Sequence, residues 1–170
     1  DNGGSNLADD WKVLFNSQIG SDTNLPFVTL LAIDPMNSSN IYVVSAPSLY
    51  GSTNRGASWG SPLNAQSLTG EPTTLDVIPR EPGVVWLGTS AGRIYTVDTR
   101  TRQATDVTGA NLPNRWISKI KASPNARDTV YIAFSGYDLN SLNTTNGGNG
   151  RTGHIFRSTD RGQTWSDLSG

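Results

Sequence analysis

Ser158-Thr159-Asp160-Arg161-Gly162-Gln163-Thr164-Trp165 decides the fold, because Ser52-Thr53-Asn54-Arg55-Gly56-Ala57-Ser58-Trp59 nearly repeats it. Both read Ser-Thr-Asp/Asn-Arg-Gly-x-Ser/Thr-Trp, and both follow a short run with an aromatic residue, Leu49-Tyr50 and Ile155-Phe156. Self-similarity of this kind signals a repeat architecture, in which each unit is one small supersecondary structure. The residue types describe a tight turn between two strands. Gly56 and Gly162 sit where such a turn needs positive φ, which is cheap only for glycine. Asn54 and Asp160 place a short acceptor where it can bond the backbone N–H groups of the turn, and Ser52 and Ser158 add a second. Trp59 and Trp165 open the following strand, where a large ring covers the turn and packs on the neighbouring unit. Asn at 54 keeps the acceptor and loses the charge, which a cap tolerates and a charge-dependent catalyst does not. The octapeptides are therefore structural.

The rest of the chain falls into the same frame. Val28 to Pro35, Thr74 to Pro79 and Trp116 to Pro124 are apolar stretches that end in proline. Each is followed by a polar turn and then by a β-branched and aromatic run: Asn40 to Ser45, Val84 to Thr89 and Thr129 to Phe134. These are strands with turn punctuation, spaced for antiparallel sheets, and no helical period is sustained anywhere. In the second unit Ser90 to Val97 supplies the third strand and Asp98 to Gln103 replaces the octapeptide without its Gly or Trp. Val107-Thr108-Gly109 then forms the tail of the fourth strand.

The octapeptide resembles the Asp-box, or BNR repeat, of β-propellers, matched fully at 158–165 and with one substitution class at 52–59. That family includes sialidases, xyloglucan-type endoglucanases, sortilin-like receptors, a photosystem assembly factor and large secreted bacterial proteins. The resemblance implies an all-β chain: a propeller segment of about three four-stranded antiparallel blades plus a partial blade. It places the structural Asp-box residues at Ser52, Asn54, Gly56, Trp59, Ser158, Asp160, Gly162 and Trp165. The expected division is 1–24 as the outer strand of a preceding blade and linker, 25–70 as a blade, 71–112 as a blade with a degenerate box, and 113–170 as a blade with a long 136–153 loop. Asp1-Asn2-Gly3-Gly4 reads as the middle of a box, and Trp11 to Phe15 as the strand after it. The chain is thus expected to be a piece of a larger ring, with the remaining blades in the same or another chain.

Composition limits the function classes. Of 170 residues, 18 are glycine, as a turn-rich β protein requires, and the formal charge of −1 gives no electrostatic case for nucleic acid or anionic membrane. No apolar run approaches a membrane span. The absence of cysteine excludes a disulfide framework, thiolate chemistry and cysteine-rich zinc sites. Sortilin-like receptors carry disulfides in their ectodomains, so that branch of the resemblance is less attractive. Low charge content with many small polar residues resembles secreted bacterial propellers, and an extracellular or cell-surface location is expected. Asn37 and Asn143 open glycosylation triplets, which read as plain turn and loop residues.

No catalytic constellation is marked. Glycoside hydrolysis needs two facing carboxylates, and no spacing pairs any here. Asp34 precedes Pro35 at a strand end, and Asp76 lies within an inner strand. The resemblance implies an arginine triad and a Tyr nucleophile for a sialidase, but the Arg-Ile-Pro type motif is absent. A xyloglucanase would draw its acid and base from two propellers. His154, the sole histidine, has no Ser or Cys motif near it. The Asn- and Gly-rich stretch 136–153 reads as a loop, and Tyr137 and Asp138 in it, with Arg115 and Trp116 near the central channel, are the candidate ligand-face residues. Asp138-Leu139-Asn140 lacks the Gly and distal Glu of a calcium loop, so no metal and no cofactor are assigned. The expected role is a non-catalytic scaffold or a module that recognises carbohydrate or protein. The alternative is part of a sialidase- or xyloglucanase-type glycoside hydrolase whose catalytic residues lie partly outside this segment.

Overall fold

The computed structural model describes residues 29–45, 48–63, 68–79, 81–135 and 155–169. The described residues form only strands, turns and irregular links. They build three antiparallel sheets in chain order. The first contains β1 (Leu31–Ile33), β2 (Ile41–Ser45) and β3 (Ser48–Ser52). The second contains β4 (Pro72–Val77), β5 (Val84–Thr89), β6 (Ile94–Asp98) and β7 (Gln103–Asp106). The third contains β8 (Ile117–Ala122), β9 (Val130–Phe134), β10 (Ile155–Ser158) and β11 (Ser166–Asp167). Strand order within each sheet is the chain order, so each is a simple meander, a propeller blade.

Alternation of side chains puts an apolar layer between successive blades. Tyr42, Val44 and Leu49 of the first blade pack against Leu75, Val77, Val85, Leu87, Tyr95 and Val97 of the second. The opposite face of the second blade contributes Trp86 and Ile94 to a layer with Ile117, Ile120, Ile132, Phe134, Phe156 and Trp165 of the third. At roughly 25 cal/mol per Å² of apolar surface, these layers supply the main stabilisation. A central blade thus buries both faces, which is why β5 reads as an almost continuous apolar run.

Polar bonds join the inner strands. β8 is an edge strand, and edge N–H and C=O groups need partners. Thr74 Oγ1 accepts from Ile120 N (3.2 Å) and Asp76 Oδ2 accepts from Ala122 N (2.8 Å). Thr73 Oγ1 donates to Ile117 O. Bonded positions rise together along both strands, so β4 and β8 run parallel, as inner strands around one axis must.

Three expectations need correction. In the first blade only three strands are described. Trp59 starts no strand, and the segment after it makes two isolated bonds, Gly60 N to Gly51 O (3.1 Å) and Leu63 N to Leu49 O (2.6 Å). In the second blade Ser90 to Gly92 is a turn and the third strand begins at Ile94. The fourth strand of that blade is Gln103–Asp106, ahead of the expected Val107-Thr108-Gly109. The cause is a tighter turn: Asp98 Oδ1 accepts from Arg100 N (2.8 Å) and Thr101 N (3.2 Å), and Arg102 takes the left-handed conformation (φ 59°). A four-residue loop (99–102) results where the octapeptide loop of the third blade (159–165) has seven.

Candidate functional site

The two octapeptides have the same geometry. Ser158 Oγ accepts from Gly162 N (2.7 Å) and donates to Asp160 Oδ1 (2.7 Å), which also accepts from Thr164 N (2.9 Å). Ser52 Oγ accepts from Gly56 N (2.8 Å) and donates to Asn54 Oδ1 (2.9 Å), which accepts from Ser58 N (2.9 Å). Gly56 and Gly162 have φ of 82° and 85°, and the preceding Arg55 and Arg161 are also left-handed, both at 60°. Hydrogen bonds from the Thr164 hydroxyl, the Thr164 amide and Ser158 hold the Asp160 carboxyl down at about 2. Asp160 is thus an ionised cap at neutral pH, and every oxygen that defines it is bonded within the turn.

Trp165 and Arg161 tie this turn to the preceding blade. The Trp165 ring meets Trp86 edge to face (centroids 6.5 Å apart), and its Nε1 donates to Val107 O (3.1 Å). Arg161 donates to Glu81 (2.9 Å) in the β4–β5 turn and pairs with Asp128 in the β8–β9 turn. Its hydrogen bond to Asp128 raises the guanidinium pKa further. Trp59 is buried beside Ile41, Val43 and Tyr50 on the opposite face of the first blade. These residues act as pins and caps, and their bonds leave no group free to attack or transfer a proton.

Antiparallel connectivity places the β5–β6 turn at the opposite end from the octapeptides, together with the links between blades. Here the structure forms a cleft of about 450 Å³ lined by Thr69, Ala91, Gly92, Arg93, Thr108, Gly109, Ala110, Leu112, Pro113 and Asn114. The turn Ser90–Gly92 is clamped between two links. On one side Ser90 N donates to Glu71 O (2.8 Å) and Glu71 N to Ser90 Oγ (3.0 Å). On the other, a Cβ on Gly92 would lie 2.7 Å from Arg115 N and 2.8 Å from Pro113 O, at a φ of 73°. Only glycine fits, so the cleft's floor has a fixed shape. Trp165 also supports it, since Asn111 Nδ2 donates to Trp165 O (2.9 Å).

Arg93 is the charge of the cleft. Its guanidinium bonds Asp106, whose Oδ1 accepts from Thr108 N (2.9 Å), and Thr108 Oγ1 accepts from Ile94 N (2.8 Å). The Asp106 hydrogen bond raises the pKa of Arg93. Burial pushes the Asp106 carboxyl up, but the bonds from Thr108 and Arg93 outweigh it and the net shift is downward. Asp106 therefore stays ionised at neutral pH and cannot serve as a proton donor. No carboxylate is among the described residues that line the cleft.

Of the candidates from sequence, Arg115 is half-buried beside this cleft, with its backbone against Gly92, and Trp116 is half exposed, two residues beyond the lining Asn114. Trp116 O accepts from Ser135 N (2.9 Å). Tyr137, Asp138, His154, Asn143 and residues 1–24 lie outside the described residues. The cleft itself carried no sequence signal, because its walls come from three separated stretches without a shared motif. The one available hint was Gly92 between two strands.

No family model matches the chain, and no curated protein matches it by sequence. Solved structures do resemble it. A GH74 xyloglucanase from Xanthomonas campestris aligns with 88% of this chain at 16% identity and a TM-score of 0.65. An ancestral GH74 enzyme aligns with 82% at 21% identity and a TM-score of 0.57. A luciferin-regenerating enzyme aligns with 86% at 17% identity and a TM-score of 0.58. The chain spans 24%, 18% and 48% of those proteins respectively. The sheets and these likenesses define the chain as an all-β propeller segment.

Proposed function

We propose that this chain is an Asp-box propeller segment of a secreted or cell-surface bacterial protein, and that it binds carbohydrate without cleaving it. The carrying observation is the cleft between the blade links, with polar walls and no carboxylate among its described lining residues. A hydrolase needs an acid and a base on either side of the bond. Here the acid bonded to the cleft's arginine, Asp106, is committed to Arg93 and Thr108. What the cleft offers is hydrogen bonding to hydroxyl groups: the Asn114 amide, the Thr69 hydroxyl and backbone groups. Trp116 adds a ring two residues away on which a sugar can stack. Sites of this kind orient a ligand with few polar groups on a rigid floor.

The xyloglucanase likeness supports a second reading, in which the segment is one part of a glycoside hydrolase completed elsewhere. Under that reading the cleft is a subsite and its residues serve substrate positioning. The division into a blade at 25–70, a blade at 71–112 and a blade at 113–170, after a partial one at 1–24, is common to both readings.

A neutral and acidic oligosaccharide array, followed by calorimetry on each hit, tests this. Binding that falls at least about tenfold in Asn114→Ala and Trp116→Ala is expected, with the ligand recovered intact. Release of reducing ends by the 170-residue chain itself would replace binding with hydrolysis. Binding that ignores both substitutions would move the site away from the cleft.

A further inference from the structure

The outward face of the third blade departs from the repeat at the positions that join blades. β4 and β8 share a register irregularity near their starts, between Pro72 and Thr74 and between Ile117 and Lys119. Counting from it, Lys119 takes the place of Thr74, and Lys121 that of Asp76. The cross-strand partners agree: Thr74 faces Gly88 and Lys119 faces Ala133, while Asp76 faces Trp86 and Lys121 faces Tyr131. Thr73 corresponds to Ser118, and both hydroxyls lie at hydrogen-bond distance from the matching carbonyl of the next strand, Gly88 O (3.1 Å) and Ala133 O (3.0 Å). The two inner strands are therefore equivalent, residue for residue.

The chemistry at these positions is reversed. Thr74 and Asp76 are acceptors that cap N–H groups on the edge of β8. A lysine ammonium only donates, so Lys119 and Lys121 cannot cap another strand in that way. Arg157, paired with Tyr131 across β9 and β10, adds a third cation to the same face, and its Nε is buried with no hydrogen-bond partner among the described residues. Lys121 reaches back to Asp76 (3.0 Å), but no described carboxylate pairs with Lys119 or Arg157. Between the cations lie Tyr131 and Ile155, 38% and 47% exposed. An apolar centre flanked by cations, two of them without a described carboxylate partner, has the anatomy of a protein interface.

We propose that this face docks an acidic polypeptide edge, a further blade whose inner strand presents Asp or Glu to Lys119 and Arg157. The charge complementarity selects it over a second copy of this chain, whose outer residues on the first blade, Leu31 and Ile33, are aliphatic and carry no charge (54% and 50% exposed). Neither Lys119 nor Arg157 lines the cleft, so loss of glycan binding and loss of acidic-peptide binding are separable.

The test uses the whole 170-residue chain and fluorescein-labelled poly-L-glutamate, with poly-L-lysine as the opposite-charge control. Binding of poly-L-glutamate alone, weakened by salt, is expected. It should fall at least about tenfold in Lys119→Glu/Arg157→Glu, since each exposed pair is worth a few-fold and reversal adds repulsion. Lys119→Gln/Arg157→Gln, which creates no repulsion, should lose less, and serves if the reversal does not fold. Arg100→Glu, an exposed turn residue, should bind as the parent does. Absent binding, binding retained in both double variants, or an equal loss in Arg100→Glu would overturn the proposal. So would a concentration-dependent dimer in sedimentation that Leu31→Asp and Lys119→Glu both abolish, since that face would then take a second copy of this chain.

Discussion

Replacing Trp165 with alanine should unlatch the third blade from the second. The side chain is 6% exposed and touches Trp86 edge to face. Removing a buried Trp or Phe typically costs about 3–5 kcal/mol, through lost burial and the cavity left behind. The Nε1 bond to Val107 O (3.1 Å) adds about 1 kcal/mol and leaves a carbonyl to rehydrate. Part of this is recovered as Val107 and Leu112 close in, so a net loss of about 4 kcal/mol is expected. For a chain of this size that lowers the melting temperature by about 8–16 °C. Trp165→Phe keeps most of the ring contact and loses the N–H, so it should cost about 1–2 kcal/mol. Urea unfolding followed by far-ultraviolet circular dichroism measures both, with hydrogen exchange at β5 and at 107–112 locating the effect. If Trp165→Ala loses less than about 1 kcal/mol, as surface substitutions do, the ring is no pin between blades.

Gly162→Ala should cost about 3 kcal/mol in the same unfolding assay, because the added Cβ takes up a φ of 85° and lies 3.0 Å from Val107 Cβ and 3.2 Å from the Trp86 ring. Asp76→Ala strips the acceptor from Ala122 N and Lys121 at once, and should cost about 1–3 kcal/mol, read as faster exchange of the Ala122 amide. The Asp160 carboxyl titrates at about 2 against an ordinary 3.8. Its folded value is the lower one, so its stabilisation is complete at neutral pH, fades as pH falls below the ordinary value, and is gone below about 2. Asp160→Asn should leave the fold intact at neutral pH, as Asn54 shows in the other copy, and should flatten that acid limb in a pH series of thermal melts.

Turn chemistry and the apolar layers were legible because each is local or periodic. Ser52, Asn54 and Gly56 announce their bonds by spacing alone, and the proline-terminated strands announce the blades. The left-handed Arg55 and Arg161 were not foreseen, since arginine has no preference for that conformation and only the closed turn imposes it. Arg161 as a tie between blades depends on Glu81 being 80 residues away in sequence, although an arginine present in both copies was visible. The second blade misled because Asp98 supplies the cap without any glycine, which shortened the loop and moved the fourth strand forward. Arg115 and Trp116 were picked out for their place at a strand start. The cleft beside them depends on two links converging on one turn, which no single stretch of sequence encodes. The exchange of Thr74 and Asp76 for Lys119 and Lys121 was in plain view, but it has meaning only when register makes the positions equivalent.

The octapeptides are closed, bonded turns that build blades, and native-state hydrogen exchange at Gly56 and Gly162 tests that directly. Both amides are buried and bonded to a serine oxygen at 2.8 and 2.7 Å. They should exchange only with unfolding of their blade, at rates close to those of the central strand amides of β5 and β9. Exchange as fast as that of the exposed Arg100 amide would mean the turns open independently of the blades, and the structural role assigned to them would be wrong.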